Sequence, residues 1–429
     1  MIDFSLSEEQ QLLRAGAAQF AQTHLREAYA AYSQHTTQEA RFRATKPTYA
    51  AAVKAGLIKG QVPTALDGGA QSLVDAAILV EEFFSVEPSA ALTILGTGLG
   101  LTPFILAGSE EQRKRLLPTF LSGEGEPLAS FVHSEPGGTA NWLERGGKGL
   151  GTTARKEGDE WVINGEKLWT TNSGGWDGKG ADLQCVVCRY SEDGGLPDPT
   201  KDPAEDILIL LVTRDVIAAN DSNAYKVLGE PELSGFPSAS GPHSSFNNLR
   251  VPDANLLCPP GKGAQIVEQT FGSSAALVGA MGVGLMRATF DAALRFAKED
   301  TRGGSAPILE RQSVADLLVD IKIRAETSRL LTWKALHAIE NGPGGWNARL
   351  ELALEAKIHS SEGAVQSVVD AMKAVGIKSY AKEQPFSRLL NDAMVLPLFD
   401  GGNVGVRRRQ IEKIFQNAGY QPWEATHGS

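Results

Sequence analysis

The chain has 429 residues, a formal net charge of -10 and a sequence pI of about 5.4. This acidic balance argues against nucleic acid as the main partner, because binding to phosphates needs a clustered basic surface. Hydrophobic residues make up 42% of the chain and charged residues 21%, which is typical of a globular protein, and the length predicts about three domains.

The first part of the sequence predicts a helical domain over residues 1–125. Ser7 is followed three positions later by Gln10, a capping-box pattern that opens a helix. Ser109 and Gln112 repeat this pattern before a second apolar stretch. Both pairs therefore predict the first turn of a helix.

A long uncharged stretch runs over residues 88–107 and contains Pro103 and three glycines. We expect buried helices with a break here, because a membrane span would be more uniformly apolar. The first ten residues lack the basic and apolar regions of a secretory signal. We therefore expect a cytoplasmic protein without a membrane partner.

The middle of the sequence, residues 126–258, predicts a domain of β-strands. Apolar and polar residues alternate on both sides of Asn164-Gly165, a pair that favours a hairpin turn. Cys185 and Cys188 form a CxxC pattern in a strand-like run, with no second pair. Because positions three apart in a strand point to opposite faces, we expect core cysteines here and no metal site.

Helical periodicity returns over residues 259–429 and holds almost to the end. Helices, then strands, then helices predict an α+β protein. We expect an N-terminal helical domain, a middle β domain and a C-terminal helical bundle.

One acidic residue in this last part stands in an unusual context. Asp400 follows an apolar run that ends at Phe399, precedes two glycines and lies ahead of three arginines that begin at Arg407. Two interpretations stay open. In the first, Asp400 only begins a turn, since Asp-Gly is common in turns. In the second, it is a buried functional acid, which needs a cationic partner such as one of these arginines. If a helix starts near Gly402, residues 400 and 407 lie on nearly the same face.

Three other stretches combine residue types that suit a ligand: "SEPGGTAN" at 134–141, "WTTN" at 169–172 and "DTRGGS" at 300–305, with Gln312 beyond it. A glycine-rich loop lets backbone N–H groups approach a planar or anionic ligand, although a plain turn fits equally well. A Trp beside two threonines offers an aromatic wall and a hydroxyl donor.

Taken in order with "FDGGN" at 399–403, these stretches resemble the motifs of the acyl-CoA dehydrogenase superfamily, flavoproteins with helical, β and helical domains. The resemblance covers essentially the whole chain. Two departures point to a branch: Asp400 stands where the dehydrogenases commonly carry Glu, and "GIKSY" at 376–380 lacks two glycines of the usual motif. "HSEPGGTANW", "NSGGWD", "SAALVGAM" and "FDGGNVGVRRRQ" resemble the branch of flavin oxidases that act on nitroalkanes.

This resemblance implies an enzyme that holds FAD, acts on a small nitroalkane and dioxygen, and assembles as a homotetramer. It assigns the carbon-acid base to Asp400, its cationic partner to Arg407 and a hydrogen bond to the base to Ser274. Neighbouring Ser273 remains an alternative for that hydrogen bond. Phe399 would help to exclude water from the base.

The resemblance also implies the residues that hold the cofactor. His133 is assigned through its backbone, although its imidazole is also an alternative general base. Gly401 and Gly402 would let the backbone pass close to the cofactor. The implied flavin-side residues are Phe131, His133, Ser134, Trp169 and Thr171, and the implied residues for the ADP half are Arg302, Gln312, Lys373, Ala374 and Gly376.

Two other function classes stay open from the sequence. A true acyl-CoA dehydrogenase would use Asp400 on the α-carbon of a thioester and pass electrons to a carrier protein. A flavin-free binding protein on the same fold would purify colourless and fail to take up FAD. Activity with nitroethane in air separates both from the oxidase.

Overall fold

The computed structural model describes residues 4–428 and places helices before and after a β-sheet. Ser7 and Ser109 open their helices with the predicted capping boxes. The predicted domain limits, 1–125, 126–258 and 259–429, stay a prediction. The N-terminal helices are α1 (Glu8–Phe20), α2 (Arg26–Tyr32), α3 (Gln38–Ala44), α4 (Lys46–Lys54), α5 (Leu73–Phe84), α6 (Pro88–Ala107), α7 (Glu110–Leu116) and α8 (Pro118–Leu121).

The uncharged stretch forms one helix, α6, so the predicted break is wrong. Pro103 lies inside it without ending it, since packing against the strand β1 (Ala129–Val132) and the core outweighs the loss of one backbone hydrogen bond. Among the described residues, α6 and Gly263–Glu299 are long and apolar enough to cross a membrane, but 56% and 61% of their apolar windows are buried within the protein. Both are core helices.

The sheet runs in the order β6-β7-β3-β2-β4-β5-β8, with β1 pairing in parallel with β4. The predicted hairpin turn at Asn164-Gly165 is wrong, because β2 and β3 turn at residues 158–159. A Cβ on Gly165 would lie 2.5 Å from the Cα of Thr152, so this glycine permits a close backbone approach inside β3. The strands are β1 (Ala129–Val132), β2 (Thr153–Glu157), β3 (Glu160–Lys167), β4 (Leu183–Tyr190), β5 (Ile207–Thr213), β6 (Tyr225–Gly229), β7 (His243–Pro252) and β8 (Leu256–Cys258), with helix α9 (Arg214–Ala218) after β5.

The two cysteines of the CxxC pattern lie on opposite faces of β4, as predicted. Both are buried and free. Cys185 packs in the large core shared with the helices, whereas Cys188 packs in a second cluster on the other side of the sheet. Burial raises the pKa of the Cys188 thiol to about 12, which suits a core side chain and not a reactive thiolate.

Three long helices carry the C-terminal part and frame the site. The central helix, α10, packs against both others, and the Ser360 hydroxyl donates to the Gly279 carbonyl at 2.6 Å where two helices approach closely. The chain then turns back across this bundle, which brings the Asp400 segment against α10 and α12. The helices are α10 (Gly263–Glu299), α11 (Gln312–Asn341), α12 (Trp346–Val375), α13 (Phe386–Val395), α14 (Arg408–Phe415) and α15 (Glu424–His427).

Candidate active site

Asp400 lies in the turn between α13 and α14, and its backbone is left-handed, with φ of 52°. Its side chain is buried, with 6% exposed. Gly401 follows with φ of 75°. A Cβ on Gly401 would lie 2.6 Å from Nε of Arg407. Glycine at this position therefore lets the arginine side chain cross the turn in close contact.

The two carboxylate oxygens of Asp400 have different surroundings. The Ser274 hydroxyl donates to Oδ1 at 2.8 Å. Oδ2 is buried and has no hydrogen-bond partner among the described residues. Ser273 donates instead to the Gln269 carbonyl at 3.1 Å, so the geometry favours Ser274. One oxygen of the acid is thus held while the other remains available.

Arg407 closes the other side of this turn, as the spacing predicted. Its Nη2 lies 3.6 Å from Oδ2 of Asp400. Its hydrogen bonds, however, go from Nε (2.8 Å) and Nη2 to the Asp400 backbone carbonyl. Gln410 accepts from Nη1 at 2.8 Å. Arg407 therefore fixes the backbone of the base while its charge lies beside the carboxylate. It does not form a two-pronged bond to the carboxylate itself.

The charges around Asp400 set its proton affinity. Burial raises the pKa of Asp400 above its ordinary value, and Arg407, Ser274 and Lys357 each offset part of that rise. A carboxylate with a raised pKa accepts a proton more readily than a solvated one. Its buried state and its available oxygen make Asp400 a candidate general base.

An aromatic wall joins Asp400 to the end of β1. Phe271, on α10, lies under the Arg407 guanidinium, 5.6 Å from ring centroid to Cζ. Its ring contacts Phe131 at 5.0 Å and His133 at 5.5 Å between centroids. Burial lowers the pKa of His133 to about 3, so the imidazole is neutral. An imidazole whose pKa is this low binds a proton weakly, which argues against the alternative of His133 as the base.

Backbone contacts bring the other predicted flavin-side residues to the same place. The Leu168 N–H donates to the Ser134 carbonyl at 3.0 Å. The Ser130 hydroxyl donates to the Thr171 carbonyl at 2.7 Å. Between these contacts, Trp169 is left-handed, with φ of 67°, and its side chain is 55% exposed. This group therefore joins the Asp400 turn through Phe131 and Phe271.

The remaining predicted cofactor residues form a separate group. The Arg302 guanidinium donates to the Ala374 carbonyl, and Gly376 follows at the end of α12. Lys373 pairs with Asp370 at 3.1 Å, and Gln312 begins α11. Within residues 4–428, the hydrogen bonds and ion pairs do not connect this group to Asp400.

Sequence reasoning missed two polar residues beneath the Asp400 turn, Lys357 and Asn403. Lys357, on α12, is fully buried, and its Nζ donates to the Gly401 carbonyl at 3.2 Å and to Oδ1 of Asn403 at 2.6 Å. A signal was present in the sequence. Lys357 lies on the same helical face as Ala353, Ser360 and Ala364, a stripe of small residues where a lysine is unusual.

Comparison with known proteins shows the family to which this chain is similar. The family descriptions "Acyl-CoA dehydrogenase, N-terminal domain" and "Acyl-CoA dehydrogenase, C-terminal domain" match residues 7–124 and 261–415. Nitroalkane oxidase of Fusarium oxysporum is 57% identical and that of Podospora anserina 55%, each covering 100% of this chain and 98% and 99% of the relative. A solved nitroalkane oxidase, an active-site mutant crystallized with 1-nitrooctane, is 56% identical, covers 100% of both chains and superposes with a TM-score of 0.98.

Proposed function

The chain belongs to the nitroalkane oxidases of the acyl-CoA dehydrogenase family, and we propose that it oxidises neutral primary or secondary nitroalkanes with Asp400 as the base. The products are an aldehyde or ketone, nitrite and hydrogen peroxide. One observation carries this proposal: a buried carboxylate with one oxygen held by Ser274 and the other available beside Arg407. Relatives over 50% identical along the whole chain support it.

In the first step Oδ2 of Asp400 takes a proton from the carbon that bears the nitro group. The C–H bond breaks, its electron pair delocalises onto the nitro oxygens, and the negative charge passes from Asp400 to the substrate. Carbon acids of this kind lose protons slowly, so a fixed base is needed. Arg407 stays close to the charge before and after transfer, and Phe271 and Phe131 help to keep water away.

For a primary nitroalkane the overall reaction consumes one dioxygen and one water and yields an aldehyde, nitrous acid and hydrogen peroxide. The side chains around Asp400 lack a group that accepts two electrons. FAD, when bound, would supply that two-electron acceptor, which dioxygen can reoxidise. The chain's own residues remove the proton and orient the substrate.

The residues of this chain fit a flavin. Trp169 presents an exposed aromatic face in a left-handed conformation that the contacts on either side of it hold in place. His133 has a buried Nε2 without a partner among the described residues. We propose that Phe131, His133, Ser134, Trp169 and Thr171 hold the flavin ring, with Gly401 and Gly402 beside it. The ADP half would contact the group of Arg302, Gln312, Lys373, Ala374 and Gly376.

We also propose that the active protein is a homotetramer. The resemblance to the acyl-CoA dehydrogenase superfamily implies that Arg302 and Gln312 reach a cofactor held by a neighbouring subunit. Val319, Ile323 and Leu330 are exposed on α11, and apolar side chains on one helical face suit a subunit contact.

Nitroethane in air tests the function directly. Purified protein should release nitrite and hydrogen peroxide in equal amounts. It should not reduce an artificial electron acceptor with an acyl-CoA. Acid precipitation should leave FAD in the supernatant, and Arg302→Ala should lower FAD content and shift the tetramer towards smaller species. Turnover of the acyl-CoA without nitrite release from nitroethane would overturn the proposal in favour of a dehydrogenase.

A further inference from the structure

Lys357 is a buried cation directly beneath the candidate base. Its Nζ donates to the Gly401 carbonyl and to Asn403. Within residues 4–428 it has no carboxylate within ion-pair distance. A fully buried lysine is rare unless it is paired, because removing its charge from water is unfavourable.

The partner of Lys357 is itself fixed from both sides. The Asn403 side-chain amide donates to the Ser361 hydroxyl at 3.0 Å and to Oε1 of Glu362 at 3.1 Å. Because both donations come from the nitrogen, the oxygen of Asn403 must face Lys357. Glu362 also accepts two contacts from Arg408. The ammonium is therefore anchored and cannot easily swing away from the turn.

We propose that Lys357 is a positioning residue for Asp400. Lys357 holds the turn through the Gly401 carbonyl and adds a second buried positive charge near the base. This inference rests on the proposed role of Asp400. Two cations hold the two successive carbonyls of the turn: Arg407 donates to that of Asp400 and Lys357 to that of Gly401. Both residues of the turn are left-handed, a conformation that Asp adopts only when its surroundings hold it.

The charges around the pair fix the sign of the effect. Arg407, Ser274 and Lys357 face Asp400, and all three favour its ionised form. Glu362 faces Lys357, and Glu268 faces Arg407. Burial lowers the pKa of Lys357 to about 8, so the lysine is mainly charged at neutral pH. His133 is neutral there. Without Lys357, only one cation would remain beside the base.

Loss of Lys357 should thus leave more of Asp400 protonated at a given pH. In Lys357→Met we expect the acid limb of kcat/KM for neutral nitroethane to move to higher pH by about one unit, the size typical of one nearby charge. At a pH below the limb, kcat/KM of Lys357→Met should therefore be about tenfold lower than that of wild type. The rate on the preformed nitronate anion, which needs no deprotonation, should change little. Lys322→Met on α11, which removes an exposed lysine paired with Glu326, is the matched control and should leave both rates unchanged.

Glu362→Gln provides a milder test, because Glu362 is about half exposed and glutamine keeps an oxygen that can accept the hydrogen bond from Asn403. Removing its charge leaves Lys357 less compensated, so the acid limb should move to lower pH by a few tenths of a unit. A limb that stays in place or moves upward in Glu362→Gln overturns the inference, even if Lys357→Met fails to fold.

Two further outcomes separate this inference from the proposed function. If wild type oxidises nitroethane but Lys357→Met, with native flavin content, keeps the wild-type acid limb, Lys357 has no electrostatic role. Equal losses on nitroethane and its anion in Lys357→Met would mean that the lysine only maintains the fold. If wild type releases no nitrite from nitroethane, the proposed function itself fails.

Discussion

Asp392 and Asp400 lie on either side of the end of α13, and both are buried. For both, burial is the main reason that the pKa is raised; for Asp392 it rises to about 7. Asp392 accepts the Phe236 N–H at 2.8 Å and faces Glu87 and Arg388. The Asp392 side chain therefore links α13 to the backbone of the segment that contains Phe236.

Asp400 differs in what its carboxylate is free to do. Its Oδ2 has no hydrogen-bond partner among the described residues. Two cations face it, and one of them, Arg407, lies over the Phe271 ring. A raised pKa therefore marks a buried acid but does not by itself identify a base. Two features distinguish Asp400 from Asp392. One carboxylate oxygen of Asp400 is available, and two nearby cations stabilise the negative charge both before and after proton transfer.

The largest expected effect separates the two acids by matched substitutions. Asp400→Asn keeps the shape but cannot take a proton, so the rate on neutral nitroethane should fall by at least ~10²–10⁴-fold. Asp392→Asn can still accept the Phe236 N–H and should keep most of the wild-type rate. Nitrite release measured for both variants gives the comparison. Comparable losses in the two would show that burial alone, and not the available oxygen, explains the effect.

Arg407→Lys should give the next largest effect. Lysine keeps the charge but lacks the planar group whose Nε and Nη2 both reach the Asp400 carbonyl and which lies over Phe271. We expect kcat/KM on neutral nitroethane to fall by about tenfold, equivalent to about 1.4 kcal/mol in the barrier. A wild-type value would mean that charge alone is sufficient and that the turn needs no clamp.

Ser274→Ala should have a smaller effect, on the pH profile. Without the hydroxyl, Oδ1 of Asp400 loses a hydrogen bond that favours its ionised form, so the pKa of the acid rises further. The acid limb of kcat/KM should move to higher pH by less than about one unit. Ser273→Ala is the control and should leave the limb in place. A shift in Ser273→Ala alone would reverse the assignment.

Asp392→Asn should change stability in a pH-dependent way while activity is kept. The pKa of Asp392 is about 7 in the folded protein against an ordinary value of 3.8. Its contribution to stability is therefore complete below about 3.8 and is lost as the pH rises through 7. Asparagine stays neutral, so the Tm of Asp392→Asn relative to wild type should be higher at pH 8 than at pH 5. The same difference at both values would contradict a raised pKa.

Some of this arrangement could be predicted from the sequence, where the determinants are local. The capping boxes at Ser7 and Ser109 depend on residues three apart, and the Asp400–Arg407 pair depends on one turn and one helix start. The hairpin turn predicted at Asn164-Gly165 is wrong, because Gly165 lies inside a strand, β3. Glycine is needed there because Thr152 approaches it closely, and this contact forms only once β2 and β3 pair.

Lys357 shows the other limit of local reasoning. Nothing within α12 indicates that its ammonium meets the turn at Gly401, since that contact forms only when the chain returns across α10 and α12. The resemblance to a known family indicated Asp400, Arg407 and Ser274 because they stand in short motifs. Lys357 stands outside these motifs. The small residues on its helical face mark it as unusual, but only tertiary packing shows what its ammonium contacts.

The ratio of rates on neutral nitroethane and on its preformed nitronate anion tests the role of Asp400 most directly. Wild type and Asp400→Asn should be compared at the same pH and with the same flavin content. We expect Asp400→Asn to lose the reaction of the neutral substrate and to keep that of the anion, so the ratio falls by at least ~10²-fold. If both rates fall in equal proportion and the ratio is unchanged, Asp400 does not act as the base.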